Sequence, residues 1–334
     1  MKVTIYDVAK KAEVSIATVS KVINNRGKIS SVTKEKVLQV MAELNYQPSA
    51  VASALTGKRT HTIGLLIPDI SNPFFSSIAR SIEDRAHQLG LSIIMCSTDY
   101  NHEKESKYIE LLLRKQVDGL ILSSGFSNDE LLQKLISEKI PIAMIAQHTP
   151  SISLNMVSID DYKGGYLATD HLLSLGHYSI GLIGEKVLSS NLRLYGYRDA
   201  LLANGLEVND EYIIRTDASV ANGRLAATAL INSANPPTAI FAVNDLLAVG
   251  AVQVILEKGL KIPDDISIVS FDNTILSKTT VPALTSIAQP VEEMGVKIVD
   301  ILIDEMNNPK DKKEQITYVP ELIIRGSTSK LVKR

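Results

Sequence analysis

Three side chains in this sequence are suited to gripping a small polyhydroxylated molecule: Arg193, Asn244 and Asp272. A guanidinium, an amide and a carboxylate are planar and rigid, and each can engage two adjacent hydroxyls at once. All three fall at or near the predicted end of a strand or start of a helix, where a side chain can face a cleft. The constellations that would make an enzyme are incomplete by comparison. Gly57-Lys58 lacks the earlier glycine of a phosphate-binding loop, because position 52 is Ala52, and neither GxSxG nor GxGxxG occurs. His102-Glu103 is followed by Ser106 where a zinc-protease helix needs its second histidine. His171 and His177 are six apart across a predicted helix end, a spacing that suits surface or capping roles better than metal ligation. The expectation is a binding protein with no catalytic residue, no metal and no cofactor.

The elements that must position these side chains follow from periodicity. Short apolar runs at 63–67, 91–96, 119–122, 141–145, 180–183, 238–243 and 266–271 read as buried strands, separated by segments with helical apolar spacing. Strands fed by crossover helices make parallel sheets, with ligands beyond the carboxyl ends of the strands. About 270 residues of this pattern are too many for one sheet. They predict an α/β body of two doubly wound parallel-sheet lobes with a cleft between them, and Gly164-Gly165 marks where the chain crosses. Phe74, Phe75 and Gln289 are expected to line the same cleft. Asp245 reads as the cap of the helix that follows it.

The 334 residues are 45% hydrophobic and 22% charged with a net charge of −2, the composition of an ordinary globular protein. That mean hides an asymmetry. Residues 1–60 hold ten Lys/Arg against four Asp/Glu, or +6, which leaves −8 for the rest. A basic module joined to an acidic body points to a polyanionic partner for the module. The single cysteine, Cys96, lies in an apolar run and reads as a buried small hydrophobe. Asp7 stands where a signal peptide needs its apolar run, and no stretch approaches the ~18 apolar residues of a membrane span. A cytoplasmic protein without a membrane partner is expected. A freestanding solute collector would show the reverse, an export signal and no basic module.

Within the basic module, Thr4 and Asp7 resemble a capping box, and Ile5, Val8, Ala9 and Ala12 follow at helical spacing. After a break at Glu13-Val14, Ser15 can cap a second helix. Its Val19, Val22 and Ile23 face inward, and Ala17, Ser20, Lys21 and Asn24 share the outer face. A small, polar, basic face can sink into the DNA major groove, with Lys21 and Asn24 reaching base edges or phosphates. A third helix, Thr33 to about Asn45, buries Val37, Val40, Met41 and Leu44 and closes a helix-turn-helix unit. Residues 49–55 make a segment too short to be a stable helix alone.

Three stretches of this module, Thr4-Ile5-Tyr6-Asp7-Val8-Ala9, Val14 to Asn24 and Leu44-Asn45-Tyr46-Gln47-Pro48-Ser49, resemble the headpiece signature of the LacI/GalR family of bacterial transcription regulators. The body resembles the same family at Ile67 to Phe75, Val117-Asp118-Gly119, His171 to His177, Pro237 to Asp245 and Ser270 to Thr274. The resemblance implies an all-α helix-turn-helix headpiece over 1–46 and a hinge helix and linker over 47–60. It also implies a periplasmic binding protein-like body, with one lobe from 61–161 plus 288–318 and the other from 162–287 plus 319–334. Ile16, Ala17 and Lys21 match base-reading positions. Ser15, Thr18, Asn24, Ser30 and Thr33 match phosphate contacts, and Ser49, Ala52 and Leu55 belong to the hinge, Leu55 as a minor-groove wedge and Val51 as the helix-pairing residue. Phe74, Phe75, Gln147, Arg193, Asn244, Asp272 and Gln289 are the implied effector site. The implied partners are a double-stranded, pseudo-palindromic operator, a second copy of the chain and a sugar or sugar phosphate; one branch of the family instead answers to a protein corepressor. No leucine heptad follows Ser327, so a dimer rather than a tetramer is expected.

Overall fold

The computed structural model describes residues 3–23, 27–46, 59–123, 126, 128–146 and 152–332. The chain divides into two compact units, 1–60 and 61–334. In the first, α1 (Ile5–Ala12), α2 (Ile16–Ile23) and α3 (Ser31–Glu43) close over Val8, Ala9, Ala12, Val19, Val22, Val37 and Val40. Asp7 Oδ2 accepts from the Thr4 backbone N–H at 2.8 Å and from its hydroxyl at 2.7 Å, so the shortened capping box forms with Asp in the Glu role. Glu13 ends α1 in the left-handed conformation, φ 53°, which makes the break before α2. The third helix starts two residues earlier than its spacing suggests, because Ser30 rather than a later residue is its N-cap.

The second unit holds two six-stranded sheets. One is ordered β11 (Gln315–Tyr318), β5 (Asn155–Ile159), β4 (Ile142–Ile145), β3 (Gly119–Ser123), β1 (Thr62–Ile67), β2 (Ser92–Ser97). The other is ordered β12 (Glu321–Ile323), β10 (Thr285–Ala288), β9 (Ser267–Asp272), β8 (Ala239–Ala242), β6 (Ile180–Glu185), β7 (Ile213–Thr216). Every pairing is parallel except β12 against β10. The helices between strands are α4 (Pro73–Gln88), α5 (His102–Arg114), α6 (Asp129–Ser137), α7 (Asp161–Ser174), α8 (Leu188–Ala203), α9 (Val220–Ile231), α10 (Asp245–Glu257), α11 (Ile275–Thr279) and α12 (Val291–Asn307). Asn72, Asn101, Asn128, Asp160, Ser219 and Asn244 cap six of them by accepting a backbone N–H two or three residues on.

The central strands β1, β3, β4 and β8 are mainly buried apolar runs, as sheets covered on both faces require, and β9 is buried throughout but carries Ser267, Ser270 and Asp272 among its apolar residues. The chain passes between sheets three times: from β5 into α7, from β10 into α12, and from β11 to β12. Gly164 and Gly165 are not the crossing point. Both lie inside α7, where they are buried for close packing, and the change of lobe comes just before, at Asp160. His171 and His177 also differ from expectation, since neither serves a surface or capping role. His177 is buried, its Nε2 donating to the Ser329 carbonyl at 3.0 Å and its Nδ1 3.0 Å from the Thr238 hydroxyl, and His171 Nε2 lies 3.0 Å from the Thr328 hydroxyl. Together they fasten residues 328–329 to the second lobe. Cys96 is buried, and burial raises its thiol pKa. No helix among the described residues is long and apolar enough to cross a membrane.

Candidate DNA-reading helix and effector cleft

In the headpiece, Ser15 caps α2 through Thr18 N–H at 3.1 Å, and its hydroxyl lies 2.9 Å from that of Thr18. Ser30 and Thr33 repeat the pair at the start of α3, with 3.2 and 2.8 Å contacts. Two helix starts thus carry hydroxyl pairs in a unit of net positive charge, the type of neutral donor that fixes register on a phosphate backbone. Ser15, Ile16, Ala17, Lys21 and Ser30 are exposed and Thr18 and Thr33 half-exposed, while Val19 and Val22 are buried behind them. Ile16 at 41% exposure is an apolar side chain without a core role, as contact with a thymine methyl requires. Asn24, Ser49, Val51, Ala52 and Leu55 lie outside the described residues, as does Gln147 in the body.

In the body, the carboxyl ends of both sheets face one narrow cavity of about 30 Å³. The first lobe contributes Asn72, Phe74 and Phe75 after β1, Tyr100 after β2, Ala146 after β4 and Ile159 at the end of β5. The second contributes Glu185 at the end of β6, Asn244 after β8, Asp272 at the end of β9, and Val187, Ser189 and Arg193 from the start of α8. Asp161, opening α7, and Gln289, ahead of α12, come from two of the crossings. Phe74 and Phe75 meet edge to face with ring centroids 5.2 Å apart and make the apolar wall. Pro73 and the Asn72 cap start α4 at that point, which is what turns both rings inward.

The polar wall is built around Arg193. Its Nε donates to Asp161 Oδ1 at 2.8 Å and its Nη1 to the Val243 carbonyl at 2.5 Å, and the guanidinium carbon lies 3.6 Å from the centroid of the buried Phe271 ring. Asp272 Oδ1 is 3.8 Å from Nη1 and accepts from Gln289 Nε2 at 2.7 Å. Asn244 Nδ2 donates to Glu185 Oε2 at 2.8 Å, and its Oδ1 accepts from Leu247 N–H at 2.9 Å. Asp272 holds φ 92° at the end of β9, a conformation that non-glycine residues adopt at a cost of about 1–3 kcal/mol.

Burial pushes the Asp272 carboxyl up to about 8, against the pull of Arg193 and with help from the Asp245 and Glu185 charges. Burial also raises Glu185, opposed by the Asn244 amide and Arg193. Burial disfavours the Arg193 charge, but the surrounding Asp161, Asp272 and Glu185 carboxyls outweigh it and keep the guanidinium cationic. The site is therefore a largely buried, preorganised set of planar donors and acceptors, able to exchange its internal bonds for hydroxyls of a ligand.

Of the seven effector-site residues expected from sequence, Phe74, Phe75, Arg193, Asn244, Asp272 and Gln289 line this cavity together. Sequence reasoning missed Asn72, Tyr100, Asp161 and Glu185. Asp161 and Glu185 had a legible signal, since each ends a strand or opens a helix at the cleft. Asp245 is not the helix cap; Asn244 is. Asp245 instead points back to Thr274, accepting from its N–H and its hydroxyl at 2.7 Å each, and so ties α10 to the loop that carries Asp272. Among the described residues no group of three His, Cys, Asp or Glu is placed to hold a metal.

Residues 4–49 match the model of bacterial regulatory proteins of the lacI family, and residues 169–328 match a periplasmic binding protein-like domain. The HTH-type transcriptional regulator DegA of Bacillus subtilis is 48% identical over 99% of both chains. The chain belongs to the LacI family. A LacI-family chain of this kind is a DNA-binding transcription regulator and not an enzyme. Solved members agree with the fold over its length. A lac repressor dimer bound to operator and the anti-inducer ONPF superposes with TM-score 0.88 at 31% identity, covering 98% of this chain and all of that one. A LacI family regulator from Enterococcus faecium with bound ribose superposes at 0.74 and 34% identity over 81% of this chain and all of that one.

Proposed function

We propose that this LacI-family regulator is a repressor that binds a pseudo-palindromic operator as a homodimer and responds to a sugar or sugar phosphate in the cleft of its body. One observation carries the effector reading: Arg193, Asn244 and Asp272, buried and each hydrogen-bonded to another residue of the cleft, meet Phe74 and Phe75 in one cavity at the carboxyl ends of both sheets. A polar cluster backed by aromatic rings suits a ring of carbon faces and hydroxyl edges. The ribose bound to the related Enterococcus faecium regulator supports the same class.

Its working parts are a headpiece at 1–46, a hinge at 47–60, a lobe from 61–161 plus 288–318 and a lobe from 162–287 plus 319–334. In the headpiece, Ile16, Ala17 and Lys21 read bases, and Ser15, Thr18, Asn24, Ser30 and Thr33 hold phosphates. In the hinge, Ser49, Ala52 and Leu55 meet the minor groove, where an inserted leucine unstacks a base step. Gln147 completes the effector set. Ligand and operator are linked, each changing the affinity of the other by the same factor.

Sequencing the fragments that the full chain selects from random DNA, with and without sugars, tests the proposal. Two half-sites about one helical turn apart are expected, with enrichment that depends on a sugar. A lone half-site contradicts the dimer. Arg193→Ala and Asp272→Ala should keep operator binding and lose the response, and a retained response in both removes the cleft assignment.

A further inference from the structure

We propose that Glu185 is a specificity-determining residue of the effector cleft, making it accept uncharged polyols and reject phosphorylated or otherwise anionic sugars. The inference rests on the cleft being the effector site and narrows the class of molecule it takes.

The argument is one of charge and of donors already in use. Among the described residues lining the cavity Arg193 is the one basic side chain, against Asp161, Glu185 and Asp272. Its Nε is held by Asp161 and its Nη1 by the Val243 carbonyl, with Asp272 beside it, so its charge is already countered by fixed carboxyls. Asn244 cannot be turned to serve an anion. Its Oδ1 caps α10 through Leu247, which fixes the amide, and Nδ2 gives one of its two hydrogens to Glu185.

The amino end of α8 is a further place where an anion could be held, because Val187 caps it with no side-chain bond. Glu185 stands two residues ahead of Val187 on the same cavity wall and supplies negative charge there itself. Among the described lining residues a phosphate therefore meets three carboxyls and no uncompensated cation, beside the neutral side chains of Asn72, Tyr100, Ser189 and Gln289, in buried surroundings that already disfavour negative charge on Asp272 and Glu185. A hydroxyl meets acceptors it can donate to. Charge rejection of this kind is specificity by an unfavourable contact with the wrong ligand.

The test titrates the full chain by calorimetry with matched pairs: ribose and ribose 5-phosphate, glucose and glucose 6-phosphate, cellobiose and its 6-phosphate. For any pair that binds, the unphosphorylated member should bind at least tenfold tighter, which is about 1.4 kcal/mol. Glu185→Gln keeps the shape and an acceptor for Asn244 while removing the charge, and it should shrink that ratio at least threefold. Glu185→Ala gives a second reading should the first variant not fold. An ester that binds as tightly as its parent sugar overturns the inference and leaves the cleft standing as a sugar site. A ratio unchanged in both variants overturns the role of Glu185. Failure of every pair to bind the wild-type chain overturns the sugar-site reading itself, and the inference with it.

Discussion

Gly165 of α7 and Gly196 of α8 face each other where the two helices cross: a Cβ on Gly165 would sit 2.1 Å from the Arg193 carbonyl oxygen, and one on Gly196 would sit 2.1 Å from that of Tyr162. The obstacle in both cases is backbone, which cannot step aside as a side-chain end can. This close crossing brings Asp161, at the start of α7, within a 2.8 Å bond of Arg193 on α8.

Gly165→Ala tests that relationship. Alanine raises helix propensity by up to about 1 kcal/mol, but overpacking against backbone costs about 1–3 kcal/mol. Net destabilisation is expected in urea unfolding, with a weakened effector response because Arg193 is displaced. A stabilised variant with normal response would contradict the close crossing.

Asp272 gives a pH signature. Its pKa is raised to about 8 in the folded chain from an ordinary value of 3.8, by burial first. Its native form therefore binds more protons than the unfolded form between those values. The contribution to stability is fully present below about pH 4 and is lost as pH rises through about 8. Asp272→Asn should flatten the fall in stability between pH 5 and 8.5 measured by chemical denaturation.

His177 gives the opposite sign. Burial lowers its pKa, so the neutral ring is the native form and its contribution is present above the ordinary value of 6.5. That contribution is lost as pH falls below 6.5 through the lowered folded value. His177→Gln should remove part of the acid destabilisation between pH 6.5 and 5, and an unchanged acid limb would count against the strap made by Ser329.

Variants at Lys21 and Leu55 test the two kinds of DNA contact proposed above. Lys21 is exposed on α2 and away from its core face, so Lys21→Ala should leave headpiece stability within about 0.5 kcal/mol. Loss of one base contact should weaken operator binding by about 1–3 kcal/mol. Leu55→Ala should weaken binding to the operator far more than to random DNA, measured by competition; equal losses would remove the wedge.

The seven strands read from apolar runs all exist, and their neighbours explain why the other five were not legible. In β10, Thr285 and Ser286 are buried yet polar, because Thr285 N–H finds the Ser327 hydroxyl at 2.8 Å and Asn273 N–H finds that of Ser286 at 3.1 Å. In β5, Asn155 is likewise buried between Glu305 and the Glu314 backbone N–H. Such polar strands are stable only with partners 13 to 159 residues away, which no local period can report. β7, β11 and β12 are short, half-covered edge strands. Site residues at strand ends were legible by position. Glu185 and Asp161 stand at such positions too, but an isolated carboxylate in sequence looks like any solvated one, and it is the folded cleft that bonds Asp161 to the Arg193 guanidinium and Glu185 to the Asn244 amide.

The three crossings between lobes also govern the order in which the protein can mature. The strand that completes the first sheet, β11, and the helix that packs on its β3, β4 and β5 both follow the last parallel strand of the second sheet. A nascent chain that has emerged only as far as residue 160 still exposes apolar surface of its first lobe, and it must wait through more than a hundred further residues for its own cover. Each half is thus finished by chain made after the other, so the pair reaches its mature form together during synthesis rather than one after the other.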